Sequence, residues 1–428
     1  MKTTFQKYPA YKDSGAEWLG DIPEHWNLTR LGSHFEERKT KVSDKDFVPL
    51  SVTKHGILPQ LDSAAKTNDG DNRKLVRKGD FVINSRSDRK GSSGIANEDG
   101  SVSLINIVMK PISIHPSFCN YLLKSNAFVE ENYRIGHGIV ADLWTTRYDE
   151  MKNIKIGVPS TEEQTAIANF LDDKTEKIDR AIAQKERMIT LLKERKQILI
   201  QDVVTGKKVW NANQNAWTEP TKVKDSGVEW IGEIPEHWGV LFNRRLFREN
   251  NRKVTNLNEL PLSLSQIDGV IPSEEMKERS LSPSHRNNFK ICLPNDLIVN
   301  RFKGHLGVFF RSPYRGIVTF HYGVFEPSRL VNTKYYELLY HTEPYKCIYA
   351  GASNGMTIGL QNLSNQNFYD VKSIVPPIEE QNSIVDYSSE IEEKTQKVIK
   401  FQLTQIEKLK ELKSTLIDSA VTGKIKVR

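Results

Sequence analysis

Asp13-Ser14-Gly15-Ala16-Glu17-Trp18-Leu19-Gly20-Asp21-Ile22-Pro23-Glu24-His25-Trp26 returns as Asp225-Ser226-Gly227-Val228-Glu229-Trp230-Ile231-Gly232-Glu233-Ile234-Pro235-Glu236-His237-Trp238, with 11 of 14 positions identical. The other three pairs are conservative, and chance does not produce such a match. A repeat of this kind sets the organisation of a chain before any secondary structure is assigned. A second repeat lies downstream of the first. Val158-Pro159 leading through Glu162-Glu163-Gln164 to Val204-Thr205-Gly206-Lys207 is echoed by Val375-Pro376 through Glu379-Glu380-Gln381 to Val421-Thr422-Gly423-Lys424. The chain is therefore a tandem duplication of one unit, made of a Trp motif, a divergent middle and a long charged segment.

The charged segments carry the clearest periodicity. Between Thr161 and Val204 there is no Pro or Gly, and Leu171, Ile178, Ile182, Ile189, Leu192, Leu199 and Val203 recur at three-, four- and seven-residue steps. That spacing predicts a coiled-coil seam on a helix about 65 Å long. The equivalent positions in the second half are Ser388, Thr395, Ile399, Ile406, Leu409, Leu416 and Ala420, polar at first and apolar later. Gly206 and Gly423 stand where a left-handed residue would end each helix. An apolar stripe of this length must be covered, and the other helix is the natural partner.

The middles diverge but keep traces of a common fold. Leu50-Ser51-Val52-Thr53 parallels Leu262-Ser263-Leu264-Ser265, and Gly79 to Asn84 parallels Asn295 to Asn300, both reading as strands entered from turns. Val102–Pro111 and Val318–Pro327 are expected to be further strands. Phe118–Glu131 and Tyr335–Tyr349 are expected to be amphipathic helices. Each middle is thus expected to be a compact α/β or α+β domain.

Composition narrows the function. With 428 residues, 38% hydrophobic and 27% charged, the chain has the make-up of a globular protein of two or three domains. Collagen, disulfide-stapled miniproteins and membrane bundles are excluded. Sixty-one Lys and Arg against 54 Asp and Glu leave a formal charge of +7, a weak pointer to a polyanionic partner. Cys119, Cys292 and Cys347 lie far apart with no metal or redox spacing, so a cytoplasmic setting is expected. No signal peptide or membrane segment is read.

Several catalytic signatures are absent from the sequence: there is no Walker or dinucleotide glycine loop, no His-Glu-x-x-His, no Asn-Pro-Pro-Tyr. Glu24-His25 and Glu236-His237 could form acid/base pairs, but a packed turn beside Trp26 and Trp238 explains them better. Glu162-Glu163 and Glu379-Glu380 could ligate a metal, but at helix N-termini they offset the dipole.

Binding chemistry is better represented. Arg86, Arg89 and Lys90 in the first middle, and Arg301, Lys303 and His305 in the second, come directly after a strand and read as matching basic turns. Arginine can bond two acceptors of guanine or a phosphate, although such turns are often solvated surface. Thr53, Lys54 and His55, Ser265 and Gln266, His137, and Ser353 with Asn354 are polar turn residues that could read base edges or serve only as turn formers. Trp144 and Tyr148 could stack on a base or pack in the core.

The stretch Pro159-Ser160-Thr161-Glu162-Glu163-Gln164, with Leu171-Asp172, Lys177-Ile178-Asp179, Leu192-Lys193-Glu194-Arg195-Lys196 and Val204-Thr205-Gly206-Lys207, resembles the central conserved region of type I restriction-modification specificity subunits. Pro376-Pro377-Ile378-Glu379-Glu380-Gln381 through Val421-Thr422-Gly423-Lys424 resembles their distal conserved region. The resemblance implies two similar target-recognition domains separated by two long antiparallel coiled-coil helices, with an internal pseudo-two-fold repeat. The implied division is residues 1–158 and 209–374 for the recognition domains with their Trp motifs, and 159–208 and 375–428 for the helices.

The implied function is non-catalytic. Each domain would read one half of an asymmetric split site on double-stranded DNA, and Ile178, Ile182, Ile189, Leu192, Leu199, Ile399, Ile406, Leu409 and Leu416 would pair the helices. Two methyltransferase subunits carrying S-adenosylmethionine would dock on the chain, and a restriction and translocation subunit consuming ATP with Mg would join them. No cofactor or metal is expected on this chain itself. Ser388 and Thr395 depart from an apolar seam, which predicts looser first turns in the second helix or a face turned toward the methyltransferase. A coiled-coil adapter that binds no DNA is the alternative, separated by a DNA-binding assay.

Overall fold

The computed structural model describes residues 5–60, 70–86, 89–138, 144–254, 259–276, 289–353 and 362–427. By Cα proximity the chain divides into two units. One holds Met1–Glu186 with Gln402–Arg428, and the other holds Arg187–Phe401. The fold is mixed α and β, and both long helices run the expected 44 residues, Thr161–Val204 and Ile378–Val421. Among the described residues no helix is long and apolar enough to cross a membrane.

Each unit is built around a four-stranded antiparallel sheet. In the first unit the order is Ser93–Ile95, Phe81–Asn84, Asn106–Pro111, Phe35–Glu37. In the second, Phe309–Arg311, Leu297–Asn300, Tyr322–Pro327 and Phe247–Glu249 repeat that order. Side chains alternate along a strand, so successive apolar residues of the two middle strands face opposite sides of the sheet. Phe81, Ile83, Ile107 and Met109 join the main core of the first unit, while Val82 and Val108 join a smaller cluster with Leu50, Ile57, Val76 and Val102. Leu297, Val299 and Phe325 against Ile298 and Val324 do the same in the second. Both faces of each sheet are covered.

The hairpins read from sequence are present, Leu50–Thr53 with Gly56–Pro59 and Leu262–Ser265 with Gly269–Pro272. Other expectations need correction. Val102–Pro111 is not one strand: Gly100–Val102 ends at a turn over Ser103–Ile105, closed by Asn106 N–H donating to the Ser103 carbonyl at 3.0 Å. Val318–Pro327 breaks likewise, Tyr322 N–H donating to Thr319. The expected helix over Phe118–Glu131 is two, Pro116–Lys124 and Asn126–Arg134. Ser125 takes an extended conformation between them, and its Oγ accepts from Phe128 N–H, capping the second. In the second unit the equivalent break at His341–Thr342 separates Thr333–Tyr340 from Glu343–Gly351.

The long helices take part in both units, and in each they run antiparallel. In the first unit Lys413 pairs with Asp179 at 2.7 Å and Lys185 donates to Gln402 at 3.0 Å. In the second, Lys196 pairs with Glu392 at 2.7 Å. Ile178, Ile189, Ile399, Ile406 and Leu416 are buried, and Ile182, Leu192, Leu199 and Leu409 are half-buried. Ser388 is also buried, so the polar start of the second seam is covered. A hairpin over Val209–Asn211 and Ala216–Thr218 comes after the first helix, with Trp217 stacked on Tyr387 at 4.8 Å.

The two repeated motifs meet in space, and this accounts for their recurrence. Within the first unit Glu163 accepts hydrogen bonds from the Tyr8 hydroxyl at 2.6 Å and the Trp26 indole at 3.2 Å, with His25 Nε2 at 2.9 Å. Within the second, Glu380 takes the Trp238 indole at 3.0 Å and His237 at 2.8 Å. The next residue of each motif is buried. Gln164 accepts from His115 N–H and donates to the Pro159 carbonyl, while Gln381 accepts from Asn332 N–H and donates to Pro376 and Leu330. These amides tie the helix start to the helical pair of its own unit.

The far end of each long helix is built into the unit of the other half. Val203 and Val204 join the core of the second unit with Trp238, and Gly206, at φ +77°, lies against Pro235 and Trp238. Ala420 and Val421 join the core of the first unit with Trp26, and Gly423, at φ +76°, lies against Pro23 and Trp26. A Cβ at either glycine would run into the proline ring, and the left-handed backbone already favours glycine. Lys424 donates to the carbonyls of Leu19 and Asp21 at 2.8 and 2.6 Å, sealing the joint.

Candidate nucleic-acid interface

The basic turns begin from the same device in both units. Asn84 and Asn300 end the central strand, and each side-chain oxygen accepts the N–H two residues on, Arg86 N at 3.0 Å and Phe302 N at 3.2 Å. An Asn closing such a turn fixes which side chain comes next. The two arginines therefore do not occupy matching places. Arg86 corresponds to Phe302, and Arg301 corresponds to Ser85, whose position Thr146 N–H bonds as Leu363 N–H bonds that of Arg301.

The arginines also have different surroundings. Arg86 is exposed and its backbone forms a bridge to Thr145, which bridges to His137 as well, so two turns distant in sequence lie together. Arg89 is exposed on the same turn. Lys90 pairs with Glu130 at 2.7 Å and lies 4.3 Å over the Tyr133 ring. His137 pairs with Glu150 at 3.1 Å while keeping most of its imidazole in solvent. Behind Arg86 and Lys90 a cavity of about 20 Å³, lined in part by Tyr133 and Trp144, has room for about one water.

Arg301 turns back toward the sheet. It bonds Glu249 at 2.8 Å, beside Lys290 and Asn365 on the same carboxylate. Burial raises the Glu249 pKa, but the Asn365 amide, Lys290 and Arg301 outweigh it and hold the carboxyl below the usual range. Arg301 is thus half-buried in an ion-pair network, whereas Lys303 is exposed. His305 lies on the short 3-10 run Arg301–Leu306, its side chain outside the described residues, as is all of Asn354.

The other polar turns are committed to their own geometry. Thr53 donates to the Gly56 carbonyl and accepts from His55 N–H, and Ser265 bonds Asp268 while accepting from Ile267 and Asp268 N–H groups. Lys54, His55 and Gln266 are exposed at these hairpin tips. Trp144 donates to the Tyr133 carbonyl and Tyr148 to the Phe35 carbonyl, so both rings belong to the frame.

At the opposite end of each central strand, a largely buried carboxylate just before the strand is held by an arginine. Arg38 reaches Asp80 at 2.7 Å and Arg252 reaches Asp296 at 2.9 Å. Burial pushes the Asp296 carboxyl up, against the pull of Leu293 N–H and Arg252. Sequence patterning does not single out the residues at the reversing turns, Leu104 and Ile105 in the first unit and Phe320 and His321 in the second. Their signal is the large apolar pair standing where a continuous strand is expected. Among the described residues no group of three His, Cys, Asp or Glu side chains could hold a metal.

No family model matches the chain. Among solved structures, it is similar to a chain from work on complex assembly and conformational transition of the type I R-M system, at TM-score 0.65 and 14% identity over 94% of this chain and 98% of that one. It is also similar to the HsdS subunit from Thermoanaerobacter tengcongensis, at TM-score 0.54 and 15% identity with the same coverage. At these identities the likeness establishes the fold, and that fold is the one an HsdS subunit has.

Proposed function

We propose that the chain is the specificity subunit of a type I restriction-modification complex, a DNA reader with no catalytic centre of its own. Each unit reads one half of an asymmetric split site on double-stranded DNA. The long helices set the gap between the halves and dock two methyltransferase subunits, directing adenine methylation or, with a restriction and translocation subunit, cleavage. S-adenosylmethionine belongs to the methyltransferase, and ATP with Mg to the restriction subunit. The observation that carries this reading is one frame used twice with different tips. Asn84/Asn300, Asp80/Asp296 and Glu163/Glu380 keep their roles, while Arg86/Phe302 and Ile105/His321 change chemistry at the same places.

Physical requirements point the same way. Base edges identify a sequence, and phosphates only position the protein. Two readers meet equivalent groove faces about 34–36 Å apart, a spacing that stiff helices can set and a flexible linker cannot. Met188, Leu191, Ile198, Val398 and Phe401, all in the second unit, remain exposed on the long helices and suit a helical partner. Methylating a base requires taking it out of the stack, which is assigned to the methyltransferase. The three cysteines are unpaired, in keeping with a cytoplasmic site of action.

The test maps methylated adenines across the genome in cells with and without this chain. A bipartite motif that disappears with the chain is expected. An unchanged methylation pattern, together with no salt-dependent, sequence-selective DNA binding by the chain with its methyltransferase, would leave the adapter reading in its place.

A further inference from the structure

We propose that Phe302, Phe320 and His321 form an aromatic wedge that enters the base stack of the half-site read by the second unit. The inference rests on the DNA-reading function proposed above. Its starting observation is the shift of register between the two turns: the place that holds Arg86 in the first unit holds Phe302 in the second.

The Phe302 turn faces a second feature of the same unit. The strand Gly316–Val318 reverses over Thr319–His321 into Tyr322–Pro327, and the turn carries two adjacent rings. Phe320 and His321 lie 3.9 Å apart between ring centroids, and Phe302 lies 5.3 Å from His321. Phe302 is 45% and Phe320 46% exposed. Leaving two phenyl rings half in water forgoes burial that the core, with its many Phe and Tyr, obtains elsewhere. Lys303, next to Phe302 on the same turn, is exposed and supplies a positive charge for a phosphate of the duplex.

Among the described residues the equivalent tip of the first unit has no such cluster. It presents the Arg86 guanidinium with the aliphatic Leu104 and Ile105. The frame below is shared, so the difference in chemistry is concentrated where two readers of different sequences must differ. A guanidinium suits paired acceptors such as those of guanine. A cluster of rings suits stacking, and apolar wedges in DNA-binding proteins part base steps and kink the duplex. Pyrimidine–purine steps unstack at least cost, so the wedge selects such a step in the second half-site.

The experiment uses the full chain assembled with its methyltransferase subunits and duplexes carrying the mapped site. 2-Aminopurine replaces each adenine of the second half-site in turn, omitting the adenine that is methylated, because the methyltransferase itself unstacks that one. A fluorescence rise at one step is expected with the wild-type chain. It should be lost in Phe302→Ala with Phe320→Ala and restored by Phe320→Trp on the Phe302→Ala background. Affinity for the cognate duplex should fall about tenfold or more in the double variant, with little change for duplexes altered in the second half-site. Tight, selective binding by the wild type with no brightening in the second half-site would overturn the wedge alone. Absence of selective binding by the wild type would overturn the reading on which it rests.

Discussion

Glu163 and Glu380 each gather the indole and imidazole of a Trp motif onto the first turn of a long helix, and the hydrogen bonds are made to a carboxylate that is mostly shielded from water. Bonds of this kind contribute more than neutral ones, so Glu163→Ala should destabilise the chain by roughly 2 kcal/mol, read as a lower Tm. Unchanged unfolding would show that the recurrence of the motif has another cause. The tips respond differently. Arg86→Ala should relax selectivity at one base pair by about 1–3 kcal/mol if the guanidinium reaches guanine, or weaken all sequences alike and flatten the salt slope if it reaches phosphate. Arg301→Ala should instead lower stability and leave the recognised sequence as it was, because its guanidinium is spent on Glu249. The Glu249 carboxyl lies below its usual pKa, so its contribution is complete above the unfolded value of about 4.3 and is lost as pH falls through the lower folded value. Acid titration of Glu249→Gln should therefore show a shallower loss of stability in that window than the wild type.

At the level of elements, helix length is the variable that matters. Four residues inserted near Lys185 would lengthen the first helix by about 6 Å and rotate the chain beyond the insertion by about 40°. Such a variant should methylate only sites with a longer gap, and retention of the original gap would show that the helices do not set it. Ile189 is buried in the seam, and Ile189→Ala should cost about 2–4 kcal/mol in stability. The helices were legible because a seven-residue apolar rhythm over 44 residues without Pro or Gly admits little else. The break at Ser125 was not, since apolar spacing runs straight through it and only the cap geometry reveals the stop, whereas Pro344 marks the break at His341–Thr342 in the sequence itself. Reversals at Ser103–Ile105 and Thr319–His321 were hidden because the bulky Leu104-Ile105 and Phe320-His321 read as strand residues. The register of Arg86 against Phe302 was recoverable only by aligning Asn84 with Asn300, because the basic residues themselves suggested a match one place off. Nothing local announced that Gly206 and Gly423 close against prolines of the other half's Trp motif.

For the whole molecule the duplication has a structural meaning, since each unit combines one divergent middle with the start of one long helix and the end of the other. A fragment of residues 1–208 lacks the helix end that packs beside Trp26, and its seam is bare. Its own Val203, Val204 and Gly206 match Ala420, Val421 and Gly423 in position, so a second copy can supply what is missing. The fragment should sediment as a two-fold dimer and, with the methyltransferase, modify a palindrome of the first half-site. Leu192→Glu with Leu199→Glu should abolish the dimer, and a well-folded monomer of the unaltered fragment at micromolar concentration would contradict the helix pairing. The most direct measurement is the methylation motif of a chimera in which residues 30–155 are replaced by the corresponding middle of another chain with this fold. Two independent readers on one frame require the first half of the motif to change while the second half and the gap stay as they were. A change in both halves, or in neither, would contradict them.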